Sequence, residues 1–364
     1  MKLLKKRKKS SKHFKLFCKM GLYLNLAFLV VFLGSIAYMG FPAFNQTYIY
    51  MTPSSDSKIT SLLSRSEQRK IRLQGGIKEN AWFLANSEVD QYVKQKFSRL
   101  KDSQRSLIDT LKQEKRIETR LNLNFFFNGD SKTSPEQSGV LAGAIGTLLV
   151  ILVCMVVAVP ISIATAIYLE EFAPQNWLTR IIEVCINNLA GIPSIIFGLL
   201  GLGLFINFFG MPRSSALVGG LTLAIMSLPI IIVASQSALK SVDIHLKKAG
   251  YALGMSKWQV IKGISLPMAM PTILTGSILA LAQAIGETAP LMLIGMIAFI
   301  PDVSTSLTQP TTVLPALIYN WASMPEKAFL ERAAAGILVL LGLLVLLNLS
   351  AIYLRKYFQG KQSW

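Results

Sequence analysis

Six long apolar stretches dominate the chain, at 20–41, 139–169, 181–209, 216–239, 272–300 and 333–354. A bilayer core is about 30 Å thick, and a helix crosses it with ~20 mainly apolar residues. In hydrocarbon, each backbone N–H and C=O must be satisfied within its own segment, so runs of this length become helices. The expected fold class is an all-α membrane protein with six transmembrane helices, with lipid as its main solvent. Composition agrees. Hydrophobic residues make up 52% and charged residues 15%, against roughly 25% charged in a soluble domain.

The charge balance is strongly positive, with 37 Lys+Arg against 19 Asp+Glu and a net charge of +18. Nine of these basic residues lie between Lys2 and Lys19, directly before the first apolar stretch. They do not alternate with stacking aromatics as a nucleic-acid surface would, so nucleic acid is not an expected partner. Lys and Arg collect on the cytosolic side of membrane proteins. The leader 1–19 is therefore expected in the cytosol. The span 20–41 reads as an uncleaved helix, because its apolar run is too long for a signal peptide and Gly40-Phe41-Pro42 is a poor cleavage site. Six spans return the tail 355–364, with Arg355, Lys356 and Lys361, to the cytosol. The loop 240–271, carrying Lys240, Lys247, Lys248, Lys257 and Lys262, falls on the same side. Arg213 and Arg332 read as snorkelling residues at span ends.

The segment 42–138 must then lie outside. It holds 16 basic and 11 acidic residues, which is no obstacle, since long loops translocate largely regardless of charge. Val89, Tyr92, Val93, Phe97, Leu100, Leu107, Ile108 and Leu111 recur at helical spacing over 88–123. Gly75-Gly76 and Ser134-Pro135 punctuate the segment. The expectation is a mainly helical extracytoplasmic insertion, either a cap on the membrane domain or a dock for an extracytoplasmic partner. The core membrane domain is expected over 139–354.

Catalytic signatures are missing. The chain has no G-x-x-x-x-G-K-[ST] and no H-E-x-x-H, and its two histidines are His13 and His245. Cys18, Cys154 and Cys185 lack metal-ligand spacing. No catalytic centre and no metal site are expected, so the chain reads as a non-enzyme.

The loop 240–271 is the most informative part. Ala249, Ala252 and Leu253 make one apolar helical face, Gly254 permits a sharp turn, and Trp258, Val260, Ile261 and Ile264 make a second face. Two short amphipathic helices joined at a glycine form a knob suited to a groove on another protein. Lys248, Ala249, Gly250, Gly254, Ile264, Leu266 and Pro267 resemble the coupling-helix motif of bacterial ABC importer permeases: Glu-Ala-Ala, three residues, Gly, nine residues, Ile, one residue, Leu-Pro. Lys248 stands where the family usually has Glu, and Gly250 where it has Ala. Gly286-Glu287-Thr288-Ala289-Pro290-Leu291 and Gly191-Ile192-Pro193-Ser194-Ile195-Ile196-Phe197-Gly198-Leu199 further resemble signatures of PstA-type phosphate permeases. The resemblance implies a bacterial cytoplasmic (inner) membrane protein and one half of an alternating-access path for phosphate. It implies a sister permease subunit, a cytosolic ATPase dimer and an extracytoplasmic phosphate-binding protein. ATP would be hydrolysed by the partner ATPase, with no cofactor bound by this chain. Another oxyanion, an ATP-independent secondary transporter and a non-transporting scaffold remain alternatives.

Glu287 is the one acidic residue of the fifth apolar stretch. A charge at membrane depth is costly and reads as functional by default. The substrate path is therefore expected to include Gln283, Gly286, Glu287, Thr288 and Pro290. Gly286 and Pro290 can open the backbone ladder there, as in the broken helices of transporters. A carboxylate beside an anionic cargo needs either a cation from a partner or a protonated cargo oxygen that donates to it. Gln283 stands where the family often carries Arg, so positive charge on the path is not expected from this position. Pro160, Pro193 and Pro229 can each kink a span.

Overall fold

The basic leader and the first apolar stretch form one continuous helix, α1 (Lys2–Gly40). They do so in a computed structural model that describes residues 2–53, 57–96, 99–132, 134–297, 299–300 and 302–360. Helix α1 packs against the last helix of the chain. A Cβ at Gly40 would lie 2.8 Å from the Ala334 carbonyl carbon, so the two backbones meet at van der Waals distance.

The hydrophilic insertion keeps the expected helices and adds a three-stranded sheet to them. It is an α+β domain of β1 (Asn45–Met51), α2 (Ser57–Thr60), α3 (Arg65–Leu73), β2 (Ala81–Leu84), α4 (Ser87–Val93), α5 (Asp102–Gln113), β3 (Ile117–Leu121) and α6 (Leu123–Phe127). The sheet order is β2-β1-β3 with both pairings antiparallel. In β1, Tyr48-Ile49-Tyr50-Met51 alternates half-buried and buried positions, as a pleated strand requires. The expected long helix is split in two. Gln95 takes a left-handed φ of 57° just after α4, and α5 restarts where Gln104 Oε1 accepts from the Lys101 N–H at 3.2 Å. The residues at helical spacing still share one core: Val89, Leu100, Ile108 and Leu111 pack with Ile49, Met51, Leu62 and Leu63. Phe97 lies outside the described residues.

The membrane part begins with α7 (Leu141–Ile167), which closes in a π-helical turn, Tyr168–Phe172. Next come α8 (Trp177–Leu189) and α9 (Ser194–Gly201), the latter extended by π-helical turns over Leu202–Phe208. Then follow α10 (Ala216–Lys240), α11 (Ile244–Ala252), α12 (Lys257–Val260), a π-helical turn over Ile261–Ser265, and α13 (Leu266–Gly286). The chain ends with α14 (Ala289–Leu293), α15 (Leu314–Ala322) and α16 (Lys327–Gly360). Among the described residues, five helices are long and apolar enough to cross a bilayer, and six spans result when α8 and α9 count as one. That pair is bent by 103°. Of the three prolines expected to kink spans, only Pro193 sits at this break; Pro160 and Pro229 lie inside helices that continue past them.

Helices α7 and α10 form the centre of the bundle, joined by α13. Helix α7 starts against the sheet domain, where the Leu141 N–H donates to Asn128 O at 3.2 Å. Its other end is closed by a separate cluster of Ala166, Ala238, Leu239, Val242, Ala269 and Ile273. The fifth span is shifted from its expected position. It runs from the knob through α13 to Gly286, and Glu287 follows the helix in an extended conformation (ψ 120°).

Candidate functional site

At the end of the bundle away from the sheet, α11 and α12 build the expected knob. Asp243 caps α11 by accepting from the His245 N–H at 2.8 Å. Gly254, at φ +81°, makes the turn out of α11, with the Met255 N–H returning to Gly250 O at 3.1 Å. That left-handed cap is a position only glycine adopts without strain. Ser256 then caps α12, accepting from the Gln259 N–H at 3.4 Å. The interior of the knob is small. A Cβ on Gly250 would lie 2.8 Å from Ile264 Cδ1 and 3.1 Å from Val260 Cγ2. A residue as small as glycine therefore lets α11 rest on the π-helical turn. The outer face is apolar and bare: Leu253 is 83% exposed and Trp258 58%, while Lys248, Ala249 and Ala252 are exposed beside them. Leu266 and Pro267 are half-buried at the start of α13. Gly254→Ala is expected to strain this cap by about 1–2 kcal/mol. Hydrogen exchange of the Met255 N–H should then quicken roughly 5–30-fold.

The two segments with the PstA-type signature are far apart in sequence and meet in space. A Cβ on Gly198 would lie 2.6 Å from Pro290 Cα, so α9 and α14 cross at backbone contact. Pro290 is therefore buried, whereas Gly286 is open, with nothing within 4 Å of an added Cβ. Glu287 and Thr288 are half-exposed, and the Thr288 hydroxyl turns back to Gly286 O at 3.4 Å. Gln283 lies on an exposed stripe of α13 with Met268, Thr272, Thr275, Leu279 and Gly286. Glu287 is not on that helical face, because the helix ends before it.

Helix α8 has no buried residue. Its side-chain tie to the bundle is Gln236 Nε2 donating to Glu183 Oε1 at 3.5 Å. Trp177, Leu178, Ile181 and Val184 leave an apolar surface open along it.

Arg332 corrects the expectation of a snorkelling residue. It is 4% exposed, donates to Ala43 O at 3.2 Å and lies over the Phe125 ring at 5.4 Å. Beside it Glu331 accepts from Gln91 at 2.7 Å, Lys94 at 3.0 Å and Lys96 at 2.8 Å. These contacts fasten the sheet domain to α16. Among the described residues no group of three or more His, Cys, Asp or Glu side chains is placed to hold a metal ion.

Residues 158–363 match the family "Binding-protein-dependent transport system inner membrane component". Residues 1–52 match a domain family of unknown function. Phosphate transport system permease protein PstA 1 of Mycobacterium tuberculosis (strain CDC 1551 / Oshkosh) is 34% identical over 224 residues, which is 61% of this chain and 72% of the relative. PstA of Yersinia pestis is 36% identical over 214 residues, 58% of this chain and 71% of the relative. PstC of Pasteurella multocida (strain Pm70) is 31% identical over 261 residues, 64% and 80% respectively. The chain belongs to the family of inner membrane components of binding-protein-dependent transport systems, among the phosphate transport system permeases of the PstA type.

Proposed function

We propose that this chain forms one half of the translocation path of an ATP-driven importer for inorganic phosphate in the bacterial cytoplasmic membrane. The observation that carries the reading is the knob: a rigid, apolar projection at the mouth of the bundle, of a shape a partner ATPase can grip. Hydrolysis belongs to that ATPase, and this chain supplies the path and the lever. The bare surface of α8 supports pairing with a sister permease. In this reading the sheet domain, at the opposite end, faces the side from which a binding protein delivers cargo, and the two chain ends lie in the cytosol.

The exposed stripe of α13 supports the location of the path. Thr272, Thr275 and Gln283 are polar for a lipid-facing surface and suit a wet passage between subunits. Glu287, half-exposed just beyond the end of α13, would accept a hydrogen bond from the protonated oxygen of phosphate. Sulfate at neutral pH carries no such proton and would be repelled. A bound cargo shifts the two states of the path only by its differential affinity for them.

The test is radiolabelled phosphate uptake into sealed vesicles holding this chain with its sister permease, ATPase and binding protein. ATP-dependent uptake that excess sulfate and molybdate do not inhibit is the expected result. ATP hydrolysis stimulated by the binding protein without phosphate uptake would discard the cargo, and uptake without ATP would discard the class. Glu287→Gln is expected to lower phosphate uptake and narrow the preference over sulfate; unchanged uptake with unchanged preference would remove Glu287 from the path.

A further inference from the structure

Three consecutive residues at the end of α7 each hold a lysine from a different element of the knob region. Glu170 Oε2 faces Lys240 Nζ, on the last turn of α10, at 3.4 Å. Glu171 Oε1 accepts from Lys247 Nζ, in the middle of α11, at 2.7 Å. The Phe172 ring lies under Lys257 Nζ, at the start of α12, at 5.1 Å. All three sit in the π-helical turn Tyr168–Phe172, a local widening of the helix that recurs at functional positions. The lysines otherwise satisfy the rule that positive charge stays on the cytosolic side. That rule asks only for charge near the membrane and leaves its partners free. Here the central pair is sheltered, with side-chain exposures of 12% for Lys247 and 9% for Glu171.

The remaining contacts show what this pair adds. The knob's two helices are held to each other and to the start of α13 by the Gly250–Ile264 contact. The ends of α7, α10 and α13 are held together by their own apolar cluster. Helix α11, the part that projects, reaches α7 through Glu171 and Lys247. A push on the projecting helix is carried into α7 through this ion pair, and through Phe172 and Lys257 beside it.

We propose that Glu170-Glu171-Phe172 is a transmission clamp, with Glu171 and Lys247 as positioning residues that make the knob and α7 move as one body. The proposal rests on the reading of the knob as an ATPase dock. It adds that the second span, through α7, takes the stroke directly, not only the fifth span, which is continuous with the knob.

Two measurements on the full complex in lipid test it. In the first, spin labels replace Ile161 on α7 and His245 on α11, in a chain whose three cysteines are removed. The distance distribution is recorded with and without a non-hydrolysable ATP analogue. The expected result is an unchanged distance in the clamped chain and a shifted or broadened one in Glu171→Gln with Lys247→Met. That double substitution removes both charges together, so neither is left buried alone. A distance that changes on nucleotide binding in the clamped chain overturns the proposal. In the second, phosphate uptake per ATP hydrolysed is compared across variants. The double substitution is expected to lower it roughly tenfold while ATP hydrolysis persists. The charge swap Glu171→Lys with Lys247→Glu should restore it to within about threefold. Normal uptake per ATP in the double substitution, or a swap no better than it, overturns the proposal. The distance measurement needs no cargo, so a complex that fails to move phosphate sinks the functional reading and leaves the clamp to be judged on the distances.

Discussion

Glu331→Ala is expected to destabilise the chain by about 3–5 kcal/mol, the cost of removing one partner from a buried charge cluster. Glu331 is 5% exposed and binds Lys94, Lys96 and Gln91 at once. Without it, Lys94 keeps Asp90, whose Oδ2 lies 2.6 Å away, so the loss should fall at the lower end of that range. Lys96 and Gln91 would lose this buried partner. All three side chains belong to the stretch just after the middle of the sheet domain, and Glu331 belongs to α16. The substitution should therefore free the domain from the membrane part rather than unfold either alone. Thermal unfolding in detergent should show an earlier first transition, and trypsin should cut the 57–120 region faster. A single transition at the original temperature would show that the cluster contributes nothing net.

Stability of the same region should fall as pH rises from about 4.5 to about 7, the reverse of ordinary carboxylate behaviour. Burial pushes the Glu136 carboxyl up to about 7, partly offset by its own backbone N–H and by Arg332 nearby. Burial likewise raises Asp130 to about 6, offset by the Trp321 indole, whose Nε1 donates to Oδ1 at 2.8 Å. Asp130 Oδ2 is buried with no hydrogen-bond partner, which is why ionisation is costly there. The folded state thus binds these protons more tightly than the unfolded chain. Their stabilising contribution is complete below the unfolded carboxyl range. It declines between that range and the folded values, and it is gone above them. For Glu136 the span corresponds to on the order of 3 kcal/mol. Unfolding measured against pH should flatten in Glu136→Gln relative to the unsubstituted chain, with the variant the more stable at pH 8. Identical slopes in the two proteins would show that Glu136 ionises freely in the fold.

Both predictions concern a region that pattern reading described only in part. Val89, Leu100, Ile108 and Leu111 were legible as core because a helix repeats its buried face locally. The three strands were not. Ala81–Leu84 and Ile117–Leu121 are short, the latter mostly exposed, and they exist as strands because Asn45–Met51 pairs with both. Such pairing joins residues far apart in sequence, which no local period reveals. Arg332 departs from its expected place for the same reason. Next to an apolar run it resembles an interface residue, and only the distant Ala43 and Phe125 bury it.

At the functional end, the knob was legible down to its turn, since Gly254 and the two apolar faces lie within one short stretch. The clamp that holds it was not, because Glu170 and Glu171 stand at the end of another span and look like ordinary boundary charges.

The sequence alone determined that this chain lives in a membrane, that it carries stretches of bilayer-spanning length and where it projects a knob. Each of these follows from rules that act within one segment: hydrocarbon demands local backbone bonding, and a glycine turn needs only its own residues. Tertiary structure decided that the third span bends and that Glu287 lies beyond the end of its helix. It also brought Gly198 and Pro290 together and turned scattered charges into two buried ion-pair clusters. These depend on which segments pack together, and the close approach of distant residues is set by the assembled fold.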